Sequence, residues 1–302
     1  MSDLSNASWA DGWQSIADSL ERRGSTGTQH HWITAPDSHE ADLFFEAMIS
    51  AFDPEECDAR GTINAGIRSP HDPALFSHAF YQCLVNDEGR AVLILNWDLF
   101  PVAVEEIPDA AVICIGFIWT APSLRHRSLT RHPYGQMIRR AIEDAQSRGL
   151  RLIGIGTESV AAAESHFWKA LDMRRIYRMA SVAPRTFEEF PYAQPPLDFD
   201  VDGNIAEGAG IAWEHYMLLL PEFDDTQIPA SLLMSIIEGT VKAYAGLDAP
   251  GVPPRQNDYL RGLVRQMQES LGDVKAVSLI SPVERQELRD RGVHFVDHTR
   301  AD

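Results

Sequence analysis

The chain has 302 residues, 44% of them hydrophobic, and 44 acidic side chains against 26 Lys and Arg give a formal charge of -18. That is material for a real core in one large or two modest domains, and a surface this acidic disfavours nucleic acid and anionic membranes as partners while attracting small cations. No apolar run approaches the roughly 20 residues of a membrane span, and Asp3, Asp11 and Asp18 stand where a signal peptide would be basic, so a cytoplasmic location is expected. Cys57, Cys83 and Cys114 are an odd number without C-x-x-C spacing, which argues against disulfides and structural zinc.

Trp9, Trp13, Ile16 and Leu20 recur at helical intervals, so residues 8–22 form an amphipathic helix before a Gly24–Thr28 joint. His31–Thr34 reads as a first strand, and Asp37 or Ser38 caps a helix bearing Phe44, Ala47 and Met48. Residues 53–73 read as a long acidic loop, and 75–84 as a second apolar helix. Ala91–Trp97 is a strand buried on both faces, and Phe100–Glu106 is the next strand.

Val112–Ile118 is an apolar strand running into a Pro-punctuated basic loop. From Arg125 to Arg140 there are five arginines, two histidines and no acid, a local reversal of the overall charge. Met137, Ile138, Ala141, Ile142 and Ala145 mark one helical face, ended by Gly149, and Leu150–Ile155 reads as a buried strand. A helix start offers unpaired N–H groups and partial positive charge, so the arginines here make an anion site suited to phosphate.

Phe117-Ile-Trp-Thr-Ala-Pro122-Ser-Leu-Arg125, the Gly135 helix start, the strand ending at Gly156 and the helix Glu164–Met173 together resemble the GNAT superfamily of acyl-CoA-dependent N-acyltransferases. The resemblance covers about half the chain and lies in the order of elements. It implies an α/β (α+β) fold, a GNAT-like mixed sheet flanked by helices, with a further C-terminal α/β region. It implies acetyl-CoA, or another acyl-CoA, as co-substrate, no metal, and a small-molecule primary amine as acceptor. The backbone of Ile118, Trp119 and Thr120 would hold the pantetheine, with Arg125, Arg127, Arg131, His132, Tyr134, Gly135 and Gln136 around the diphosphate.

The family's tyrosine proton donor is replaced by Trp168, its helix-start asparagine falls near Ala161, and its glutamate base position falls near Ile115 or Gly116. Topology therefore nominates Glu158, with Glu164 or His166, as base, and Tyr177 or Tyr134 as donor. The alternative is a catalytically degenerate GNAT-shaped protein that binds CoA or a partner. Gly154-Ile-Gly156 also matches part of a dinucleotide fingerprint, with Ser159 where the third glycine would stand.

A Pro- and Asp-rich stretch after Ser181 suggests a boundary near residue 184. The expected organisation is an N-terminal helix and joint over 1–30, an acyl-CoA-binding domain over 31–183, and a C-terminal region over 184–302, either a degenerate second half or an acceptor-site cap. In that region helices are expected near 205–220, 229–245 and 257–271, then strand, short helix and strand over 275–280, 282–291 and 293–297.

Overall fold

In the computed structural model, short apolar runs buried on both faces supply the strands, and segments with one apolar stripe supply the helices that cover them. The structure describes the chain except residues 1–7, 23–27, 53–56, 69–75, 106, 126–128, 160–167, 169–170, 181–182, 184, 197–198, 206–211, 222–225 and 298–302. Two units make up the molecule, residues 1–101 with 109–153, and residues 102–108 with 154–302. The architecture is α/β, mixed sheet with flanking helices, as expected.

The first unit contains α1 (Ser8–Arg22), β1 (Gln29–Trp32), α2 (His39–Ala51), α3 (Arg60–Arg68), β2 (His78–Val85), β3 (Ala91–Pro101), β4 (Ala110–Thr120) and α4 (Arg131–Ser147). Its strands pair antiparallel in the order β1-β2-β3-β4. Phe44 and Met48 of α2 and Ile63 and Ile67 of α3 cover one face, against Tyr81, Cys83, Ile94 and Phe117. On the other face Phe80 stacks on Trp97 at 4.2 Å, Arg140 of α4 lies over Phe80, and His78 meets Asp144 of α4 at 2.9 Å. The Trp13 indole of α1 donates to the Leu152 carbonyl at 2.8 Å.

Three expectations change here. Residues 75–84 give a strand from His78, not a helix, because an unbroken apolar run carries no period that separates the two, and β2 is buried on both faces. The loop expected over 53–73 contains α3, whose Ile63 and Ile67 are four residues apart and buried. The strand expected at Phe100–Glu106 is the end of β3, which stops at Pro101, followed by an isolated bridge between Val104 and Ile107.

The strand β5 (Arg151–Ser159) begins in the first unit and ends in the second. The second unit continues with β6 (Arg174–Met179), β7 (Thr186–Glu189), β8 (Tyr192–Gln194), β9 (Ala212–Leu219), β10 (Gln227–Pro229), α5 (Ala230–Ala245), α6 (Pro254–Leu271), β11 (Ala276–Ile280), α7 (Pro282–Asp290) and β12 (His294–Val296). Its strand order is β5-β9-β6-β11-β10, with β8 beside β9 and β7 beside β6. The β7–β12 pair is parallel; the other registered pairs are antiparallel. The helix expected near 205–220 is β9 instead, and it is hydrogen-bonded between β5 and β6. Residues on both sides of the boundary expected near residue 184 share one ladder, Arg174 and Arg175 of β6 pairing with Leu218 and Met217 of β9. The strand, helix and strand near the C-terminus stand where expected, with a Ser281–Glu284 capping box opening α7.

Candidate functional site

In the first unit, β4 is buried from Ala110 to Ile115, and its register against β3 shifts between Asn96 and Trp97, leaving exposed Gly116 opposite no β3 residue. Bulges of this kind bend a strand and re-aim the residues beyond the bend. Ile118, Trp119 and Thr120 are half-buried, and their backbones pair with Leu95, Ile94 and Leu93 along one edge. The chain then makes a 3-10 turn at Pro122–Leu124, and exposed Arg125 donates from Nε to the Thr120 carbonyl at 3.3 Å.

No side chain caps α4, and its first turn carries no acid. The Tyr134 amide already bonds the Thr130 carbonyl at 3.1 Å, and Pro133 has no N–H, so the amides of Arg131 and His132 are the donors at this positive helix end. Gln136 Nε2 lies 3.0 Å from His132 Nε2 one turn earlier on the helix. Arg125, Arg131, His132 and Gln136 belong to one short stretch suited to an anion; Arg127 lies outside the described residues.

Tyr134 and Gly135 are corrections. The Tyr134 side chain is fully buried, and burial pushes its phenol far above the ordinary range. Gly135 faces α1: a Cβ there would stand 2.7 Å from Glu21 Cγ and 2.9 Å from the Ala17 carbonyl. The glycine serves close packing of α4 on α1. Arg139 also turns to α1, binding Asp18 and, at 2.7 Å, Glu21.

In the second unit, half-buried Glu158 ends β5 among aromatic and acidic neighbours. Burial and then the Glu214 charge push its carboxyl up to about 8, against hydrogen bonds from Tyr192 and Gln194 that pull it down. Tyr192 donates its hydroxyl to Glu158 Oε1, its ring lies 4.7 Å from that of Tyr216, and the Tyr216 hydroxyl lies 2.7 Å from Thr240 Oγ1 of α5. A carboxyl group with its midpoint near neutral pH is suited to accept a proton and return it.

Tyr177 does not join Glu158. The ladder sets Glu158 opposite Tyr216 and Ser159 opposite His215, while Arg175 faces Met217, so Tyr177 and Arg175 share the His215 side of the pleat. Tyr177 is buried between Phe187 and Phe295 with Arg285 over its ring, and burial and then Glu189 push its phenol well above its usual range. As a proton donor beside Glu158 it is therefore corrected. His166 and Glu164 lie outside the described residues. Trp168 is buried, and its carbonyl accepts from the amides of Leu171 and Met173.

Gly154 and Gly156 sit inside β5 and not at a strand-to-helix turn. The Tyr216 hydroxyl and the Leu220 side chain occupy the spaces a Cβ would take, which argues against a nucleotide fingerprint. Tyr192, Gln194, Glu214 and Tyr216 escaped the sequence reading because their segment was read as linker and helix. Asp98 escaped it too: buried on β3, its carboxyl is pushed up to about 7 by burial and then by Asp58, against a hydrogen bond from Ser77.

No protein-family model matches the chain, and no curated protein does. Solved structures similar to it include a GNAT-family acetyltransferase from Streptococcus pneumoniae, at 12% identity over 64% of this chain and 99% of that one, TM-score 0.35. The spermidine/spermine N-acetyltransferase of Vibrio cholerae is similar at 11% identity over 66% and 95%, TM-score 0.33. An aminoglycoside 6'-N-acetyltransferase of Acinetobacter baumannii is similar at 13% identity over 52% and 97%, TM-score 0.33. Likenesses this distant assign no residue a role.

Proposed function

We propose that the chain is an acyl-CoA-dependent N-acyltransferase, moving an acetyl group in the first instance from CoA to a primary amine of a small molecule. The observation that carries this reading is the anion-suited stretch of the first unit, and in the second unit Glu158, whose carboxyl burial pushes up to about 8, is the proposed acceptor of the proton an ammonium loses before it can attack. The uncapped start of α4, with Arg131, His132 and Gln136 and the nearby Arg125 and Arg127, receives the diphosphate, where arginine offers paired charged hydrogen bonds. Carbonyl and amide groups of Ile118, Trp119 and Thr120 receive the pantetheine arm, and His166 stays a second proton carrier in this reading. A cytoplasmic location goes with it.

The test mixes the protein with acetyl-CoA and a panel of primary amines and follows melting temperature and thiol release. Stabilisation by acetyl-CoA, weakened at least tenfold by Arg131→Ala, together with amine-dependent thiol release is expected. No stabilisation by any CoA ester overturns the reading. Stabilisation without thiol release on any amine selects the second reading, a CoA-binding protein without turnover, which the buried Trp168 in the tyrosine position favours.

A further inference from the structure

At the start of α4, two histidines from different elements are brought together. His30 of β1 places Nε2 2.6 Å from Oε1 of Gln82, a fully buried side chain of β2, and the nitrogen of that amide lies 3.5 Å from the Pro133 carbonyl in the first turn of α4. An amide oxygen only accepts, so the ring supplies the proton of the short bond, and Nδ1 is left as the nitrogen that gains or loses one. His132, beside Pro133 in that turn, bears on His30 electrostatically, and its own Nε2 lies 3.0 Å from Gln136 Nε2. Gln82 thus ties the outermost strand of the ladder to the helix end that Arg131 and His132 open.

Burial first, and then His132 and His31, hold the His30 imidazole below its usual range, against the bond to neutral Gln82. Its other neighbours on that face, Leu84 opposite it on β2 and the Trp32 ring 5.2 Å away, carry no charge. His31 belongs to the other face of β1, where Glu40 of α2 lies 3.6 Å from its Nδ1. The acids that α1 turns towards α4, Asp18 and Glu21, are bound by Arg139. Two imidazolium ions in this place repel each other, Arg131 and the positive helix end, and an anion seated there reverses the balance for both.

We propose that anion binding at the start of α4 is proton-linked: a diphosphate diester is held with uptake of protons by His30 and His132, and is released as those protons leave. The inference rests on the reading of this helix start as the diphosphate site, and it adds His30 and Gln82 to that site. His132 stands in the first turn, where the anion sits. His30 acts through Gln82 and through its own charge, and is a positioning residue. Each proton comes from solvent, joins an imidazole nitrogen as the diphosphate enters and returns to solvent when it departs, with no bond of the ligand made or broken. Linkage is reciprocal, so a ligand that raises the midpoint of a histidine by about one unit is itself bound about tenfold more tightly where that histidine is charged.

The probe is dephospho-CoA, whose diphosphate keeps its charge across the range used. Binding to the full-length protein is measured by calorimetry in two non-phosphate buffers of different ionisation heat, and the His30 ring signal is followed by NMR with and without the ligand. Affinity is expected to fall about tenfold or more from about pH 5.5 to about pH 8, with net proton uptake on binding between them and the His30 midpoint raised in the complex. His30→Gln and His132→Gln should each flatten the pH profile while leaving affinity at about pH 8, where an ordinary imidazole is neutral, within about twofold of wild type. A merely structural loss would weaken binding at both ends of the range. The ring signal of the wild type keeps the test independent of how the variants fold. Equal affinity at the two pH values, or a His30 midpoint unmoved by saturating ligand, overturns the proposal and leaves the diphosphate reading standing. No binding at any pH overturns both.

Discussion

Asp98 and Glu158 are carboxyl groups that burial holds in the titration range of neutral solution, and each has a consequence that a melt or a rate profile reads. The Asp98 carboxyl goes from 3.8 to about 7 on folding. Between those values the folded chain keeps a proton that the unfolded chain has released, so stability is fullest below about 4 and declines as pH rises towards about 7. Asp98→Asn cannot ionise. Its melting temperature should match wild type at pH 4 and exceed it by several degrees at pH 8, since about 1 kcal/mol corresponds to roughly 2–4 °C in a chain of about 150–250 residues and to somewhat less in a longer one. Melts of both proteins across that range check it, and an equal pH slope in the two would show that Asp98 is not the group responsible. For Glu158 the readout is catalytic: wild-type turnover should climb as pH rises through about 8, while Glu158→Gln loses that inflection and about 10²–10⁴ in rate. A variant that keeps both the inflection and the rate would remove Glu158 as base.

At the scale of elements, Gly135 separates packing from binding. Alanine there meets the Ala17 carbonyl and Glu21 of α1, and because backbone cannot swing aside the two helices must separate. Overpacking of this kind costs about 1–3 kcal/mol. The Arg139 pairs with Asp18 and Glu21 are partly exposed and contribute little, so the loss falls on the Trp13, Ala17 and Leu20 contacts. Gly135→Ala should lower the urea midpoint and speed amide exchange in α1; unchanged exchange with weakened acetyl-CoA binding would restore the glycine to the phosphate site. The sequence did reveal α1, α2, α4, α5 and α6 and the strand–helix–strand ending, because each helix has one apolar stripe and each turn its Gly, Pro or Ser. It concealed β2 and β9. A strand buried on both faces has no polar alternation, and in β9 the polar residues alternate Glu214, His215 and Tyr216 onto both faces, so no single-sided pattern survives. For the site, the local basic stretch and Glu158 were legible; the partners of Glu158 come from β8 and β9, about 34 and 56 residues further on, and no local signal links them.

At the scale of the molecule, the decisive feature is that β6 has neighbours from beyond residue 184 along both edges. Arg174 and Arg175 pair with Leu218 and Met217 of β9, Arg175–Tyr177 pair with β11, and Tyr177–Met179 pair with β7. A chain ending at residue 184 would leave β6 with no partner strand from this set and would bare Ile176 and Tyr177, which are buried in the whole protein. Exposed, unpaired strand edges of apolar composition promote association. The truncated chain is expected to protect amides of β2, β3, β4 and α4, whose pairing and core lie within residues 1–101 and 109–153, while residues 174–179 exchange freely and the protein aggregates on concentration. A chain ending at 221 restores β7, β8 and β9 but not β11, and should recover protection on the β9 side of β6 only. Exchange mass spectrometry on the two truncations and the full chain distinguishes these outcomes. If residues 174–179 were protected in the shortest chain, an independent domain ending near residue 184 would be the correct description, and the region after it would be an addition and not part of the same sheet.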